Sequence, residues 1–259
     1  MSDATPPKPE AKPCKCGVLI EPTFVEPMFY EFAGRRKQFS GTNEWKALTM
    51  CEKCAEEARE NAEREAIERD IRTKAQHLDS LFARCGFAPR ENDMAMKKWV
   101  GSESAKAPFV SWADGERSLF VHGAPGNGKT HAAVISLATF IQKYRQQGKF
   151  WVVADLVRNL RMAVKTHNDD VMVAELISVP ALVLDDIAIE RPTGFVLEAI
   201  QSIVDTRFRH KMKMIITSNL SLEELADKLD DRIASRLADI SQCDVIKFTG
   251  RDRRLTGGE

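Results

Sequence analysis

This chain of 259 residues lacks several features of membrane proteins, secreted proteins and strongly basic proteins. No apolar run is long enough to span a bilayer, and the Pro- and Lys-rich segment Met1–Pro13 lacks the apolar core of a secretory signal. Lysine and arginine total 38, as do aspartate and glutamate, so the formal net charge is zero and any DNA contact must come from a local patch. We expect a cytoplasmic protein without membrane association, beginning with a disordered tail over residues 1–13.

Disulfides are a further expected absence, because a reducing compartment keeps the six cysteines as thiols. Four of the cysteines form two close pairs, C-x-C and C-x₂-C: Cys14, Cys16, Cys51 and Cys54. Four thiolates suit tetrahedral Zn²⁺, and a ligand set filled by cysteine alone is typical of a structural site. We predict a zinc-binding module over residues 14–54, with free thiols as the alternative. Cys85 and Cys243 are isolated and are predicted to be small buried apolar residues.

Two changes of composition follow the cysteine-rich segment. Residues 55–84 contain neither Gly nor Pro and carry i,i+4 charge pairs such as Glu60–Arg64, which predicts a charged linking helix over residues 55–85. Farther along, short β-rich runs alternate with helical stretches. The runs are Leu119–His122, Phe150–Val153, Ala181–Asp185, Met214–Ser218 and Val245–Phe248. This alternation predicts an α/β domain over residues 86–259, with a mainly parallel five-stranded sheet between helices.

The segment after the first β-rich run matches the phosphate-binding pattern G-x-x-x-x-G-K-[ST] at every defined position. It consists of Gly123, Ala124, Pro125, Gly126, Asn127, Gly128, Lys129 and Thr130. The glycines allow backbone N–H groups to surround phosphate oxygens, and the helix N-terminus adds partial positive charge. Lys129 is predicted to reach the β- and γ-phosphates of ATP, and the Thr130 hydroxyl to help hold Mg²⁺. A Gly-rich turn without a ligand is the alternative.

Polar residues stand at the ends of the third and fourth β-rich runs. Because ligands of parallel sheets bind at the carboxyl ends of the strands, Asp185 is predicted to complete the Mg²⁺ shell and Asp186 to orient or activate water. A pair of helix N-caps is the alternative for these two residues. Asn219 is predicted to hydrogen-bond the attacking water or the γ-phosphate, although an Asn after a strand is usually a turn residue. Farther along, Arg232 and Arg236 share one face of a predicted helix, as a solvated surface or as an arginine finger.

Together these residues resemble the AAA+ ATPases, and more closely the DnaC/IstB group of helicase loaders and transposition helpers. The segments that carry the resemblance are Arg84–Arg90, Gly123–Thr130, Leu182–Ile187, Ile203–Arg207, Ile215–Leu220, Asp231–Leu237 and Gly250–Arg254. The resemblance implies an AAA+ fold and ATPase activity, with Asn219 at the sensor-1 position and Arg236 at the arginine-finger position. It also implies a sensor-2 arginine at Arg253, or at Arg254 in the neighbouring register. Asp186 stands where many members carry Glu.

The resemblance extends to partners. Arg158, Arg161 and Lys165 lie where initiators and loaders carry a helical element that touches single-stranded DNA, although a solvated helix face is the alternative. The implied function is an ATP-dependent loader that delivers the replicative DNA helicase during replication initiation and times its release by hydrolysis. Such a loader would bind the helicase through its zinc module and act as a homo-oligomer on DNA or helicase. The alternatives are an IstB-like ATP-binding helper of a transposase and a nucleotide-switched adaptor with little turnover.

Overall fold

Internal contacts divide the chain into two units, Met1–Thr73 and Lys74–Glu259. The computed structural model describes residues 8–25, 28–32, 35–40, 44–46, 50–96, 103–187 and 194–249. Within these ranges, no helix is both long and apolar enough to cross a membrane. Residues 1–7 of the predicted tail lie outside the described residues, and Lys12–Pro13 at its end form a short strand. The predicted boundaries after residues 13, 54 and 85 remain predictions.

The first unit contains short antiparallel strand pairs and most of a long helix. Strands β1 (Lys12–Pro13) and β2 (Leu19–Ile20) pair with each other, as do β3 (Thr23–Val25) and β6 (Glu44–Lys46), and β4 (Met28–Phe32) and β5 (Arg35–Ser40). Helix α1 spans Glu52–Arg84 and continues into the second unit. The predicted charged helix is therefore present, and it begins three residues early, so that Cys54 lies in its first turn.

The second unit alternates helices and strands, as the composition predicts. Its elements after α1 are α2 (Pro89–Ala95), α3 (Glu103–Trp112), β7 (Ser118–His122), α4 (Lys129–Tyr144), β8 (Gly148–Val152), α5 (Val153–Lys165), α6 (Asp169–Ser178), β9 (Ala181–Asp185), α7 (Gly194–Arg209), β10 (Lys213–Ser218), α8 (Leu222–Lys228), α9 (Asp231–Leu237) and β11 (Cys243–Lys247). All five predicted strands are present, each with bounds within two residues of the prediction.

The five strands of the second unit form one parallel sheet in the order β11-β7-β10-β9-β8. Strand β10 lies at its centre, between β7 and β9. Ile215 of β10 pairs with Leu119 of β7 and with Val183 of β9, so these three strands end side by side. Because all strands run the same way, the loops after β7, β9 and β10 meet at one edge of the sheet.

Helices cover both faces of this sheet, and a hydrophobic cluster lies on each face. Successive side chains of a strand point to opposite faces, and β9 shows the division. Leu182 and Leu184 belong to the cluster that includes residues of α5, α6 and α7, whereas Ala181 and Val183 belong to the cluster that includes residues of α3 and α4. All five residues of β9 are buried, as expected for a strand covered on both sides. The predicted sheet between helices is confirmed.

Candidate functional site

The phosphate-binding loop connects the buried strand β7 to helix α4. Gly123, Gly126 and Gly128 all have positive φ angles, of 143°, 76° and 102°. Gly128 is also the N-cap of α4 and has no side chain to occupy the first N–H groups of that helix. N–H groups at the start of a helix can donate to an anion, and the helix dipole favours negative charge at the same place. The local conformation therefore suits a phosphate group.

Lys129, the first residue of α4, is buried with its ammonium group turned onto the loop. Its Nζ donates to the carbonyl oxygens of Gly123 at 2.7 Å and Ala124 at 2.8 Å, and lies 3.3 Å from Oδ1 of Asn127. Oxygen atoms already surround the cation in a cradle of backbone and amide groups. A phosphate that enters the loop offers charged oxygens in their place, and these make the stronger hydrogen bonds.

Asn127 and Gly123 also connect the loop to the end of strand β11. The side-chain amide of Asn127 is 3% exposed and donates to the carbonyl oxygen of Phe248 at 2.8 Å. A Cβ atom on Gly123 would lie 2.3 Å from the same oxygen, so only glycine permits this close approach. Phe248 immediately follows β11, and the chain continues toward the predicted sensor-2 arginines. Arg253 and Arg254 lie outside the described residues.

The two residues predicted to hold Mg²⁺ are in contact. The hydroxyl of Thr130 donates to Oδ2 of Asp185 at 3.1 Å, and the hydroxyl of Thr217 donates to Oδ1 at 2.6 Å. Asp185 is 5% exposed, and burial raises the pKa of its carboxyl, while the two hydrogen bonds oppose that rise and the charges of Asp186 and Glu91 add to it. A divalent cation beside Asp185 would favour the charged form of this carboxyl and so oppose the effect of burial. Carboxylate and hydroxyl oxygens are the donors that Mg²⁺ prefers, so the residues fit this ion.

Asp186 and Asn219 meet at the exposed rim of the site. Nδ2 of Asn219 donates to Oδ1 of Asp186 at 2.8 Å. Asp186 has a φ of 57°, in the left-handed region, and its N–H donates to the hydroxyl of Thr217 at 2.9 Å. Both side chains are exposed to solvent, unlike that of Asp185. The carboxylate and the amide are therefore placed where they can contact a water molecule together.

Thr217 is the residue that sequence reasoning missed. It lies inside the strand Lys213–Ser218, and a threonine in an apolar strand is most often a packing residue with good β-propensity. The available signal was its register, because Thr217 stands next to Asp185 when β9 and β10 end together. Register between strands follows from the folded sheet and is only weakly visible in one sequence.

Arg236, the predicted arginine finger, lies on α9 and binds within its own chain. Its Nε donates to Oδ1 of Asp205 on α7 at 2.8 Å, and its side chain is 58% exposed. Together with Phe208, Arg209 and Gln242, this pair lines a cavity of about 370 Å³. The structure thus shows an exposed arginine paired with a carboxylate of its own chain. Its role as a finger stays a prediction.

The three basic residues predicted to contact DNA lie on one exposed face of α5. Arg158, Arg161 and Lys165 are all exposed, whereas Val153, Leu156, Val157 and Leu160 on the other face are buried. Arg158 makes an ion pair of 3.3 Å with Asp155 one turn earlier, which leaves its side chain 76% exposed. The predicted basic stripe is therefore present on the surface, and DNA binding by it stays a prediction.

The four N-terminal cysteines converge, as the zinc hypothesis requires. Their sulfur atoms all lie within 4.8 Å of one another, and those of Cys16 and Cys51 are 3.5 Å apart. Tetrahedral Zn²⁺ with Zn–S bonds of about 2.3 Å places its sulfurs about 3.8 Å apart, so the cluster fits the ion. Backbone N–H groups of Cys16 and Cys51 lower the pKa of the Cys14 thiol to about 6. Hydrogen bonds with the neighbouring thiols raise the pKa of Cys54 to about 12, so the cluster without a metal holds its protons unevenly. Thiolate is the form that binds zinc. Cys85 and Cys243 are buried, as predicted.

A family model of IstB-like ATP binding proteins matches residues 58–257, most of the chain. The protein belongs to this family. Residues 58–257 include every predicted residue of the phosphate loop and of the strand ends beside it. The family assignment therefore agrees with the geometry of the loop, because the family is one of ATP-binding proteins and the loop suits a phosphate group. The predicted membership of the DnaC/IstB group is confirmed.

Individual relatives are more distant. The replicative helicase loader DnaC of Escherichia coli (strain K12) is 24% identical to this IstB-like chain over 185 residues, which cover 66% of the chain and 73% of DnaC. A crystal structure of the DnaC helicase loader has 23% identity and a TM-score of 0.56, and covers 62% of the chain and all of that structure. The replication initiator DnaA, solved with AMPPCP and single-stranded DNA, has 18% identity and a TM-score of 0.54, with 64% and 52% covered. These likenesses show that the IstB-like domain has the AAA+ fold.

Proposed function

We propose that the protein hydrolyses ATP with Mg²⁺ at the phosphate-binding loop. The observation that carries this proposal is the continuous set of hydrogen bonds that joins Thr130, Asp185, Thr217, Asp186 and Asn219 at the carboxyl edge of the sheet. A loop that only bound nucleotide would need Thr130 at most, and none of the four other residues, which lie outside the loop. Hydrolysis needs a cation site, a carboxylate facing water and a polar partner for it, and the chain has all three adjacent to the loop.

Each residue has a separate task in this mechanism. The N–H groups of the loop and Lys129 bind and orient the β- and γ-phosphates, which holds the reacting phosphorus in place. Thr130 and Asp185 would hold Mg²⁺, which would neutralise charge on the phosphate oxygens. Asp186 accepts a hydrogen bond from the attacking water, and Asn219 fixes the direction of that carboxylate. Arg236 of a neighbouring subunit contacts the γ-phosphate and stabilises the charge that develops there, so a complete site requires a homo-oligomer.

The biological task that we assign to this ATPase is the loading of a replicative DNA helicase. The DnaC relatives carry that function in their names, and their fold is shared with an initiator solved on single-stranded DNA. The exposed basic face of α5 supplies cations for a DNA backbone. Four cysteines that fit zinc supply a separate module for protein contact. Hydrolysis then times the release of the loader from the helicase.

Two rival functions each have an observation in their favour. The family model carries the IstB name, and the group that the sequence resembles includes helpers of transposases. In addition, Asp186 has a shorter side chain than Glu, which favours slow hydrolysis and a nucleotide-switched role.

A competition pull-down separates the loading of a helicase from the assistance of a transposase. Immobilised protein with Zn²⁺ and ATP is offered a replicative helicase and a transposase together, each with a distinct label. Retention of the helicase alone supports loading, and retention of the transposase alone contradicts it.

A mixing experiment tests the shared site. Arg236→Ala keeps the loop intact and should keep ATP affinity while losing hydrolysis. Lys129→Ala keeps the finger and should lose ATP binding. Mixed in one sample, these two variants should recover part of the wild-type activity, because an intact loop meets an intact finger across a subunit interface. No recovery at any ratio, with full activity in a monomeric wild-type sample, would show that Arg236 does not act on a neighbour.

A further inference from the structure

Thr217, on the central strand of the sheet, is hydrogen-bonded to both acidic residues of the site. It is the fifth residue of β10 and is 1% exposed. Its hydroxyl donates to Oδ1 of Asp185 at 2.6 Å and accepts from the N–H of Asp186 at 2.9 Å. Its backbone carbonyl accepts from the N–H of Ile187 at 2.9 Å. Three consecutive residues, the last residue of β9 and the two that follow it, are therefore bound to this single residue.

The chemistry of a hydroxyl group is well suited to this position. A hydroxyl has one proton to donate and lone pairs to accept with. Its proton is used on the carboxylate of Asp185, and a lone pair receives the N–H of Asp186. An aliphatic side chain of the same shape would fill the space but would leave a buried carboxylate oxygen and a backbone N–H without these partners, which is costly.

The bond to the backbone N–H of Asp186 determines where the second carboxylate lies. Asp186 is in the left-handed region, with a φ of 57°, which a non-glycine residue adopts only where its surroundings hold it. The N–H groups of Asp186 and of Ile187 both point at Thr217, one at its side chain and one at its carbonyl. With the backbone turned in this way, Oδ1 of Asp186 lies 2.8 Å from the amide of Asn219.

We propose that Thr217 is a positioning residue for ATP hydrolysis, in that its hydroxyl fixes the Mg²⁺-binding rotamer of Asp185 and the left-handed turn that presents Asp186 to water. This inference rests on the proposed ATPase activity and adds to it a buried residue that acts through Asp185 and Asp186. Because the hydroxyl of Thr217 is bound to Asp185 and to the backbone of Asp186, nucleotide affinity in the absence of Mg²⁺ should not depend on it. The turnover rate and the Mg²⁺ requirement should both depend on the hydroxyl of Thr217.

Two substitutions at this position and one control test the proposal. Thr217→Val keeps the volume and removes the hydroxyl, whereas Thr217→Ser keeps the hydroxyl. Ser136→Ala removes a hydroxyl that is equally buried, at 2% exposure, but donates to carbonyl oxygens of Ala132 and Phe109 in the body of the domain. For each purified full-length variant, kcat and KM for ATP, the Mg²⁺ concentration at half-maximal rate, nucleotide affinity in EDTA, and Tm are measured.

Thr217→Val should lower kcat by about 10²-fold, the scale of a displacement of about 1 Å in a reacting group. It should also raise the Mg²⁺ requirement, with nucleotide affinity in EDTA unchanged. Thr217→Ser should recover most of the kcat, and Ser136→Ala should keep it. A Thr217→Val protein that matches wild type in kcat and Mg²⁺ requirement overturns the positioning role and leaves the ATPase proposal standing. Loss of kcat in both Thr217 variants, in step with a fall in Tm, overturns it as a packing effect. A wild type that does not hydrolyse ATP overturns both proposals.

Discussion

A methyl group on the first glycine of the phosphate loop should disrupt both stability and nucleotide binding. In Gly123→Ala, the new Cβ would lie 2.3 Å from the carbonyl oxygen of Phe248 and 3.0 Å from the side-chain nitrogen of Asn127. Carbon and oxygen normally approach to about 3.3–3.6 Å, so the loop and the end of β11 would have to separate by about 1 Å. The φ of 143° at this position is also one that alanine rarely adopts.

Two penalties determine the expected magnitude. A residue forced into a sparsely populated backbone region costs about 1–3 kcal/mol, and an extra methyl group in a packed place costs about 1–3 kcal/mol more. The free energy of unfolding should therefore fall by about 2–6 kcal/mol. Relief of this strain by movement of the loop would break the bond between Asn127 and Phe248, so ATP binding should fall as well. Urea denaturation monitored by circular dichroism measures the first effect, and fluorescence titration with a nucleotide analogue measures the second.

A second glycine provides the matched control. A Cβ on Gly194, the first residue of α7, meets no atom within 4 Å among the described residues, and its φ is not in the left-handed range. Gly194→Ala should leave ATP binding unchanged and raise the free energy of unfolding by up to about 1 kcal/mol, because alanine favours the helix. If Gly123→Ala were as stable as Gly194→Ala and bound nucleotide normally, the contact between the loop and Phe248 would not constrain this site.

Three further substitutions address the cation, zinc and DNA sites. Burial disfavours the charged form of Asp185, so Asp185→Asn should be at least as stable as wild type in the absence of ligands. It should lose the rise in Tm that Mg²⁺ and ATP give to wild type, and a rise equal to that of wild type would contradict the assignment of Asp185 to the cation site. The purified protein should contain about one Zn²⁺ per chain. Cys51→Ser should lose this ion and the control Cys85→Ala should keep it, and metal analysis that finds no zinc in freshly reduced wild type would refute the site. Arg161→Ala should weaken binding to single-stranded DNA and reduce the salt dependence of that binding, since phosphate contacts release counterions. Lys228→Ala on α8 is the control and should change neither. Equal losses of affinity in the two variants would argue against a specific DNA-binding stripe on α5.

The fold and the elements around the nucleotide could be predicted because their signals are local. The glycines before Lys129 and the apolar run before Asp185 each lie within a few consecutive residues. The start of α8 is equally local: Ser221 accepts from the N–H of Glu224, whose side chain accepts from the N–H of Ser221, which is a capping box within four residues. Strand order did not need to be known for these predictions, because each depends on short-range chemistry.

Contacts between distant segments could not be predicted in the same way. The bond from Asn127 to Phe248 joins residues 121 positions apart, and that from Arg236 to Asp205 joins residues 31 positions apart. Their formation depends on which strands are neighbours and on how helices pack across them. Asn127 was predicted only as part of the nucleotide-binding loop, whereas its side chain reaches back to the end of β11. A single sequence contains the residues of such contacts without indicating their pairing.

Release of phosphate from ATP in the presence of Mg²⁺ tests the central proposal most directly, with wild type measured beside Lys129→Ala and Asp186→Asn. Wild type should hydrolyse ATP. Asp186→Asn should bind ATP with the same affinity but turn it over more slowly, because an amide cannot take up a proton from water. Lys129→Ala should lose both binding and turnover, since the cation that meets the β- and γ-phosphates is gone. Hydrolysis at the wild-type rate by both variants would contradict the assignment of this site as the ATPase centre.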